Sequence, residues 1–409
     1  MEYLRVVLIA LTLIAFRHGN DGFNTYFPVP AGVTSSPFAP VIINLGSGHF
    51  NGAQTVAISD GSQGGTLTPS VGSPGTSMVT VTPAKGGNNF TLTYAAASTG
   101  NKTISFTNGQ AWSNPSSQVY FVNTAANRFG DTWNNPGGAP ACTGCTHSSY
   151  HSNIMNQDIG FNIYLPPQYV SQPSTHFPVV YFFHGNPGNE NGAPPIVAPL
   201  VESKINAATV KPMIFVFPKT GAHEMDSIPG APAYGAYMAE STIIYELIPF
   251  IDANYRTIAT KAGRAFQGFS MGGQGCERLA FKFPQMISSI YCFAPAIDDT
   301  GANIGSNEPA TLSNMFNGDT NAFNTETVWS LSVSNLAAIK TQALPIHVTI
   351  GDQDSLFRDN VRFLAQLDSL GIAHDPLTTA TGCGHDLTCD ITFVGGADID
   401  YASAHFPRS

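Results

Sequence analysis

Gly268-Phe269-Ser270-Met271-Gly272-Gly273 is the stretch on which the reading of this 409-residue chain turns. It follows the apolar run Ala265-Phe266-Gln267-Gly268-Phe269, which reads as a buried strand. It precedes residues 274–283, where Cys276, Leu279, Ala280 and Phe283 recur at helical spacing before Pro284 ends the helix. Glycines two positions either side of Ser270 permit a sharp strand-to-helix turn without a Cβ clash, leaving the serine strained and its Oγ presented. A serine so placed reads as a nucleophile when an Asp or Glu and then a His follow it in the chain. Candidates for both follow.

The length exceeds one ordinary domain and suits two. A composition of 43% hydrophobic and 11% charged residues is globular, and a formal net charge of -10 argues against nucleic acid or an anionic membrane as partner. Residues 6–16 form an apolar run behind Arg5, matching the charged start and apolar middle of an export signal and too short to span a bilayer comfortably. No Ala-x-Ala cleavage site follows it. The expectation is a secreted protein, extracellular or periplasmic, with residues 1–29 as signal-like segment and leader, the cleavage point open and no membrane association after export.

Residues 30–124 differ in character: from 31 to 123 they are rich in Thr, Ser, Gly and Asn, with only Asp60, Lys85 and Lys102 charged. Short alternating runs at 55–59, 78–82, 90–94, 102–107 and 118–122 sit between glycine and proline turns. In one of them Ile104 and Phe106 would face one side and Thr103, Ser105 and Thr107 the other. This predicts a small all-β immunoglobulin-like sandwich. The segment resembles bacterial immunoglobulin-like modules, closest at Ala97-Ser98-Thr99-Gly100-Asn101-Lys102-Thr103-Ile104-Ser105. No exposed aromatic row points to sugar binding, so a spacer is the expected role. Residues 125–145, with Asn134-Asn135-Pro136-Gly137-Gly138-Ala139-Pro140, read as a linker.

From 146 to 409 strands and helices alternate. Strands are expected near 160–165, 179–183, 213–217, 265–269, 289–293 and 346–350, with helices at 240–253 and 359–370 among those between them. Several strands are continuous apolar runs, the mark of a sheet covered on both faces, so the expected fold is α/β with a mostly parallel doubly wound sheet.

The pieces Gly160-Phe161-Asn162-Ile163-Tyr164-Leu165-Pro166-Pro167, Tyr181-Phe182-Phe183-His184-Gly185, Glu246-Leu247-Ile248-Pro249-Phe250-Ile251-Asp252, Asn254-Tyr255-Arg256-Thr257 and Gly268 to Gly273 carry a resemblance. From about Thr146 to His385 the chain resembles the esterase D and feruloyl esterase branch of the α/β-hydrolases, which also includes acetyl-xylan esterases and mycolyltransferases. The resemblance implies an α/β-hydrolase fold with its site at the carboxyl ends of the strands.

Ser270 needs a base to take its proton as it attacks. His385, in Gly382-Cys383-Gly384-His385-Asp386, is the expected base, because imidazole titrates near neutrality and the position matches the family's histidine. Asp354, in Gly351-Asp352-Gln353-Asp354, is the expected orienting acid where the family pattern places one, with Asp352 and Asp386 as competitors. The expected oxyanion donors are the backbone N–H of Met271 and, from the family pattern, that of Asn186 in His184-Gly185-Asn186-Pro187-Gly188. His184 and Gly185 are expected to border the substrate, His184 more as a loop residue than a second base. Tyr234 and Tyr237 are candidates for lining an acyl pocket or for ordinary packing.

No cofactor or metal is expected. Cys142, Cys145, His147 and His151 imitate a zinc set, but only Thr146 separates the two pairs, which leaves no fold between them to close a tetrahedron. Six cysteines in an exported chain favour disulfides. Cys383 and Cys389 would bracket His385, and Cys276 and Cys292 would join the post-serine helix to the next strand unless both are free and buried.

These residues imply a serine carboxylic-ester hydrolase working through an acyl-enzyme. The resemblance makes feruloyl or acetyl esters of plant cell-wall polysaccharide the first substrate candidate, hence a polymer-linked ester as partner. Alternatives are an aromatic polyester (terephthalate-type) hydrolase or broad esterase, an acyltransferase, and a noncatalytic surface or sugar-binding protein. One departure from the family pattern is expected after His385, where residues 391–405 are rich in Gly, Ala and Asp with only a short helix near the end.

Overall fold

The computed structural model describes residues 132–137, 142–152, 154, 155, 157–228, 231–233, 236–297 and 309–407, and eight strands within 23–107. Residues 1–22 of the expected leader, the expected strand at 118–122 and Tyr234 lie outside the described residues, and the rest of that leader is corrected to a strand, Phe23–Val29, which pairs with Gly100–Thr107. Two compact units form, one of Met1–Ala125 with Asn153–Asn156, the other of Ala126–Ser152 with Gln157–Ser409.

In the first unit, strands Phe23–Val29, Gly100–Thr107, Val56–Ser59 and Met78–Val81 make one antiparallel sheet. Strands Val41–Asn44, Asn89–Ala95, Thr66–Pro69 and Gly75–Thr76 make another. The alternating Thr-rich runs thus form strands near where they were read, and Leu67 is fully buried. The immunoglobulin-like assignment of this segment is a proposal from its sequence.

The second unit has the α/β-hydrolase fold. Its strands are β1 (Cys145–Ser152), β2 (Gln157–Tyr164), β3 (Val179–Phe183), β4 (Ile214–Pro218), β5 (Arg264–Phe269), β6 (Ser289–Phe293), β7 (Ile346–Gly351) and β8 (Thr378–Ala380), in spatial order 1-2-4-3-5-6-7-8. Strand β2 runs antiparallel to β1 and β4, and the remaining pairs are parallel. Every residue of β3, β4 and β6 is buried, as expected of strands covered on both faces. Val180 and Phe182 of β3 join Phe215, Phe217, Ala265 and Phe293 in one core. That core is roofed by helix α1 (Pro194–Asn206) through Val197 and Val201, and by residues of the C-terminal segment. The alternate residues Tyr181 and Phe183 meet Phe266 edge-on.

Helix α2 runs through Ala239–Thr242, Ile243–Leu247 and Ile248–Asn254, with a π turn in the middle stretch. Helix α3 (Met271–Lys282) carries almost only buried residues and is bonded to β6 by the Cys276–Cys292 disulfide. Short helices at Pro309–Phe316, Thr320–Thr325, Val328–Ser334 and Leu336–Gln342 fill the stretch between β6 and β7. Helix α4 (Phe357–Leu370) follows β7. The C-terminal segment corrects the expectation of little structure there: Leu387–Val394 and Ala397–His405 are both helices, α5 and α6, separated by Gly395 and Gly396 at positive φ. Ile391, Ile399, Ala402 and Phe406 bury their side chains in the core described above.

Where a linker was expected, Trp133 is 3% exposed, its carbonyl accepts the Gly160 N–H at 2.7 Å, and its ring meets Tyr237 edge-on at 5.2 Å. The side chains of Asn135 and Glu190 tie this segment further to the loop after β3. Residues 132–137 therefore belong to the second unit.

Burial pushes Glu277 well above its ordinary value, and pushes four further carboxyls, Glu224, Asp226, Asp390 and Asp398, each up to about 7. Between the ordinary values of these four and about 7, the folded chain holds protons that the unfolded chain has lost, so through them rising pH lowers stability across that window and no further above it. Asp398, at the start of α6 and 1% exposed, isolates the effect. Asp398→Asn is expected to stabilise the fold at pH 8 by on the order of a few kcal/mol, seen as a higher thermal unfolding midpoint, and to stabilise it clearly less at pH 5, nearer the lower edge of that window. Calorimetry of both proteins at the two pH values checks this; an equal change at both would refute it.

Candidate active site

The turn between β5 and α3 is set by backbone contact. Ser270 has φ 59° and ψ -118°, a conformation that non-glycine residues rarely adopt and that costs about 1–3 kcal/mol. A Cβ on Gly268 would lie 2.1 Å from the Gly272 carbonyl oxygen, and one on Gly272 would lie 2.3 Å from that of Phe183 at the end of β3. The Ser270 N–H donates to Phe293 O at 2.9 Å and its carbonyl accepts from Ala296, so strand β6 also grips the turn.

Three of the expected residues come together at this turn. His385 Nε2 lies 2.7 Å from Ser270 Oγ, and its Nδ1 lies 2.6 Å from Asp354 Oδ2. A carboxylate can only accept, so Nδ1 carries the proton and Nε2 offers its lone pair to the serine hydroxyl. The Asp354 side chain is wholly enclosed, and its Oδ1 accepts the Leu356 N–H at 2.8 Å. Ser270 is 9% exposed and the His385 side chain 36%, so the imidazole is the part of the set that meets solvent. Phe269 packs its ring on that of His385 at 4.8 Å.

The two competing aspartates have other partners. Asp352 Oδ1 accepts the Gly382 N–H at 2.8 Å, holding the acid loop to the segment after β8, and Asp386 caps α5 by accepting from Cys389 N at 3.0 Å. The Cys383–Cys389 disulfide brackets His385. The Cys383 carbonyl accepts from Gln353 N at 3.0 Å, which joins the acid and histidine loops.

On the other side of Ser270 stands the loop after β3. A Cβ on Gly185 would be 3.1 Å from the Ser270 Cβ, so this glycine borders the serine. Asn186 follows it and is exposed. Met271 is the first residue of α3, and Gln274 N is the first helical amide to reach back, to Ser270 O at 3.0 Å. His184 is 5% exposed, its Nδ1 at 3.0 Å from Gly185 O and its Nε2 accepting Thr220 N–H at 3.2 Å. Burial, with the Lys219 ammonium second, pushes its pKa down to about 3. It faces the protein and not a cleft, which corrects its expected place beside the substrate. Tyr237 is corrected likewise: at 1% exposure it packs on Trp133, and its hydroxyl accepts the His223 N–H at 2.6 Å.

The cysteine and histidine cluster that imitates a zinc set is taken up otherwise. Cys142 bonds to Cys145, His147 meets Glu190 at 3.2 Å and His151 meets Asp158 at 2.9 Å. Among the described residues no group of three or more His, Cys, Asp or Glu side chains is placed to hold a metal ion.

The model of the Esterase family, described as "Putative esterase", matches residues 152–371, more than half of the chain. The chain belongs to this family. It is 33% identical over 135 residues to an esterase of Mycobacterium tuberculosis, covering 33% of this chain and 28% of that protein. It is 33% identical over 132 residues to an endo-1,4-beta-xylanase/feruloyl esterase of Xylanibacter ruminicola, covering 31% of this chain and 18% of that protein. The matched region thus spans less than a third of these relatives. Two solved structures share the fold. A ferulic acid esterase has a TM-score of 0.54 at 17% identity, over 64% of this chain and 98% of that one. The S-formylglutathione hydrolase of Staphylococcus aureus has a TM-score of 0.51 at 16% identity, over 63% and 98%.

The turn geometry yields a test of its own. Gly272→Ala sets a methyl group against the Phe183 carbonyl and is expected to destabilise by about 1–3 kcal/mol or more. Gly137→Ala, where a Cβ meets nothing within 4 Å, is expected to be near neutral. Denaturant midpoints of both variants decide it, and equal midpoints would show that the turn can open.

Proposed function

We propose that the protein is a serine carboxylic-ester hydrolase. The observation that carries this reading is the hydrogen-bonded series from Ser270 Oγ through His385 to Asp354, at 2.7 and 2.6 Å, mounted on the strained turn. Ser270 Oγ attacks the ester carbonyl carbon as its proton passes to His385 Nε2. The imidazolium is stabilised by Asp354 through Nδ1–H. The tetrahedral oxyanion takes hydrogen bonds from the backbone N–H groups of Met271 and Asn186. Collapse of the intermediate breaks the bond to the alcohol oxygen, which receives the proton from Nε2. Water, deprotonated by the same nitrogen, then attacks the acyl-enzyme, releasing the acid and restoring Ser270.

The substrate we propose is a feruloyl or acetyl ester carried on plant cell-wall polysaccharide. Support comes from the names of the relatives, one of which joins a xylanase to a feruloyl esterase. An accessory β unit ahead of the esterase unit suits a polymer better than a small metabolite. Export fits three disulfides. It also fits the apolar run at 6–16, and among the described residues no helix is long and apolar enough to cross a membrane.

The test is a rate panel on methyl ferulate, a short p-nitrophenyl ester, acetylated xylan and a soluble terephthalate ester. Ser270→Ala and His385→Ala are expected to lose at least about 10³-fold in kcat with unchanged folding, while Asp352→Ala keeps most activity. Preference for ferulate or acetylated xylan supports the cell-wall role, and better rates on terephthalate would replace it with a broad aromatic-ester role. Turnover by Ser270→Ala would overturn the mechanism itself.

A further inference from the structure

Gly185 O receives two hydrogen bonds, from Gly188 N–H at 2.6 Å and from His184 Nδ1 at 3.0 Å. The carbonyl of Gly185 and the N–H of Asn186 belong to one peptide unit, and that unit is trans, so the two point in opposite directions. Whatever fixes the carbonyl therefore aims the N–H. A turn of four residues with a glycine at each end could by itself rotate this peptide, since only the Gly188 N–H would hold it.

The second hold comes from an enclosed series of polar groups. His184 Nε2 accepts the Thr220 N–H at 3.2 Å, which leaves Nδ1 as the protonated nitrogen and makes it the donor to Gly185 O. Thr220 Oγ1 lies 3.3 Å from the same Nε2 and donates to Glu224 Oε1 at 2.7 Å. Glu224 is 2% exposed, and its carboxyl lies against the backbone of α3, where a Cβ on Gly275 would be 2.3 Å from Oε2. The series thus runs from the helix that begins at Ser270 back to the loop that faces Ser270.

We infer that His184 is a positioning residue, backed by Thr220 and Glu224, which holds the Gly185–Asn186 peptide with its N–H directed at the oxyanion that forms on attack by Ser270. The inference rests on the serine-hydrolase reading above. The hydrogen bonds of the His184 ring go to Gly185 and Thr220. It acts through the peptide plane, so its loss weakens the transition state and leaves ground-state binding in place.

The experiment compares His184→Ala and His184→Asn with the unsubstituted enzyme on a p-nitrophenyl ester. It also measures inhibition by an aryl trifluoromethyl ketone, whose adduct on serine carries the oxyanion. His184→Ala is expected to lower kcat by about 10–100-fold, a partial loss of one oxyanion donor, with KM within about threefold. Affinity for the ketone should fall by the same factor as kcat/KM. His184→Asn, whose amide N–H can take the place of Nδ1–H, is expected to recover to within about fivefold. If His184→Ala does not fold, judged by near-ultraviolet circular dichroism, His184→Leu replaces it, since Leu and Asn share a branched shape and differ in the donor. An unchanged kcat in the donor-less variant, equal losses in Asn and Leu, or a loss confined to KM would overturn the inference. Ser270→Ala run beside them separates the two readings: if it keeps turnover, the serine mechanism fails whatever His184 does.

Discussion

The rest of the esterase unit depends on a close approach of backbone to backbone: the first turn of α3 sits on the end of β3, with Gly272 against the Phe183 carbonyl. No side chain fits between them. This contact lets the helix start directly over the sheet, forces Ser270 into positive φ and sets its Oγ above the ends of the strands. The loops after β3, β7 and β8 can then reach one point although their residues are far apart in the chain. A methyl group on either glycine beside the serine would lift the helix and move that point.

Such a strained turn needs a helix that cannot relax, and the far half of α3 supplies the restraint. Arg278, 1% exposed, pairs with Glu240 at 2.6 Å and with Glu326, and donates to the carbonyls of Glu224 and Glu326. Lys282 pairs with the same two carboxylates at 2.9 Å. Those charges hold Glu326 down to about 2. Burying so many charges costs much of what their attraction returns, so the network is better read as fixing orientation than as adding net stability. Apolar side chains could fill the same volume, but they could not reach two particular carbonyls. The Cys276–Cys292 bond fixes the same helix to β6 on its other side.

The parts legible in the sequence are those whose signal is local. The serine turn reads from glycine spacing, and β3 and β6 read from unbroken apolar runs, because both faces of each are covered. The poorly legible parts draw their order from distant partners. Trp133 sits among Asn, Pro and Gly and resembles linker, yet Tyr237 and the Gly160 amide claim it. Strand β1, Cys-Thr-His-Ser-Ser-Tyr-His-Ser, is a polar edge strand with little alternation to see, and it pairs with β2 along its whole length. The C-terminal helices are hidden by the Gly395-Gly396 break between them. Asp352, Asp354 and Asp386 are alike in sequence, all acids in loops. The family pattern favours Asp354 without removing the other two, and space separates them by giving Asp354 the imidazole and each of the others a backbone amide.

The two histidines near Ser270 both lie in glycine-containing loops, and the family pattern, which matches His385, is what tells them apart in the sequence. Position decides what each nitrogen can do. In His184 the Nε2 lone pair already receives the Thr220 amide, and burial together with the Lys219 ammonium disfavours a second proton, so the ring stays neutral and Nδ1 remains a fixed donor. In His385 the Nδ1 proton is held by a carboxylate while Nε2 faces a hydroxyl that can give its proton up. Under the proposed mechanism an orienting group must keep its charge state through turnover while a base must take up a proton and return it, and the two environments suit those opposite requirements with the same side chain.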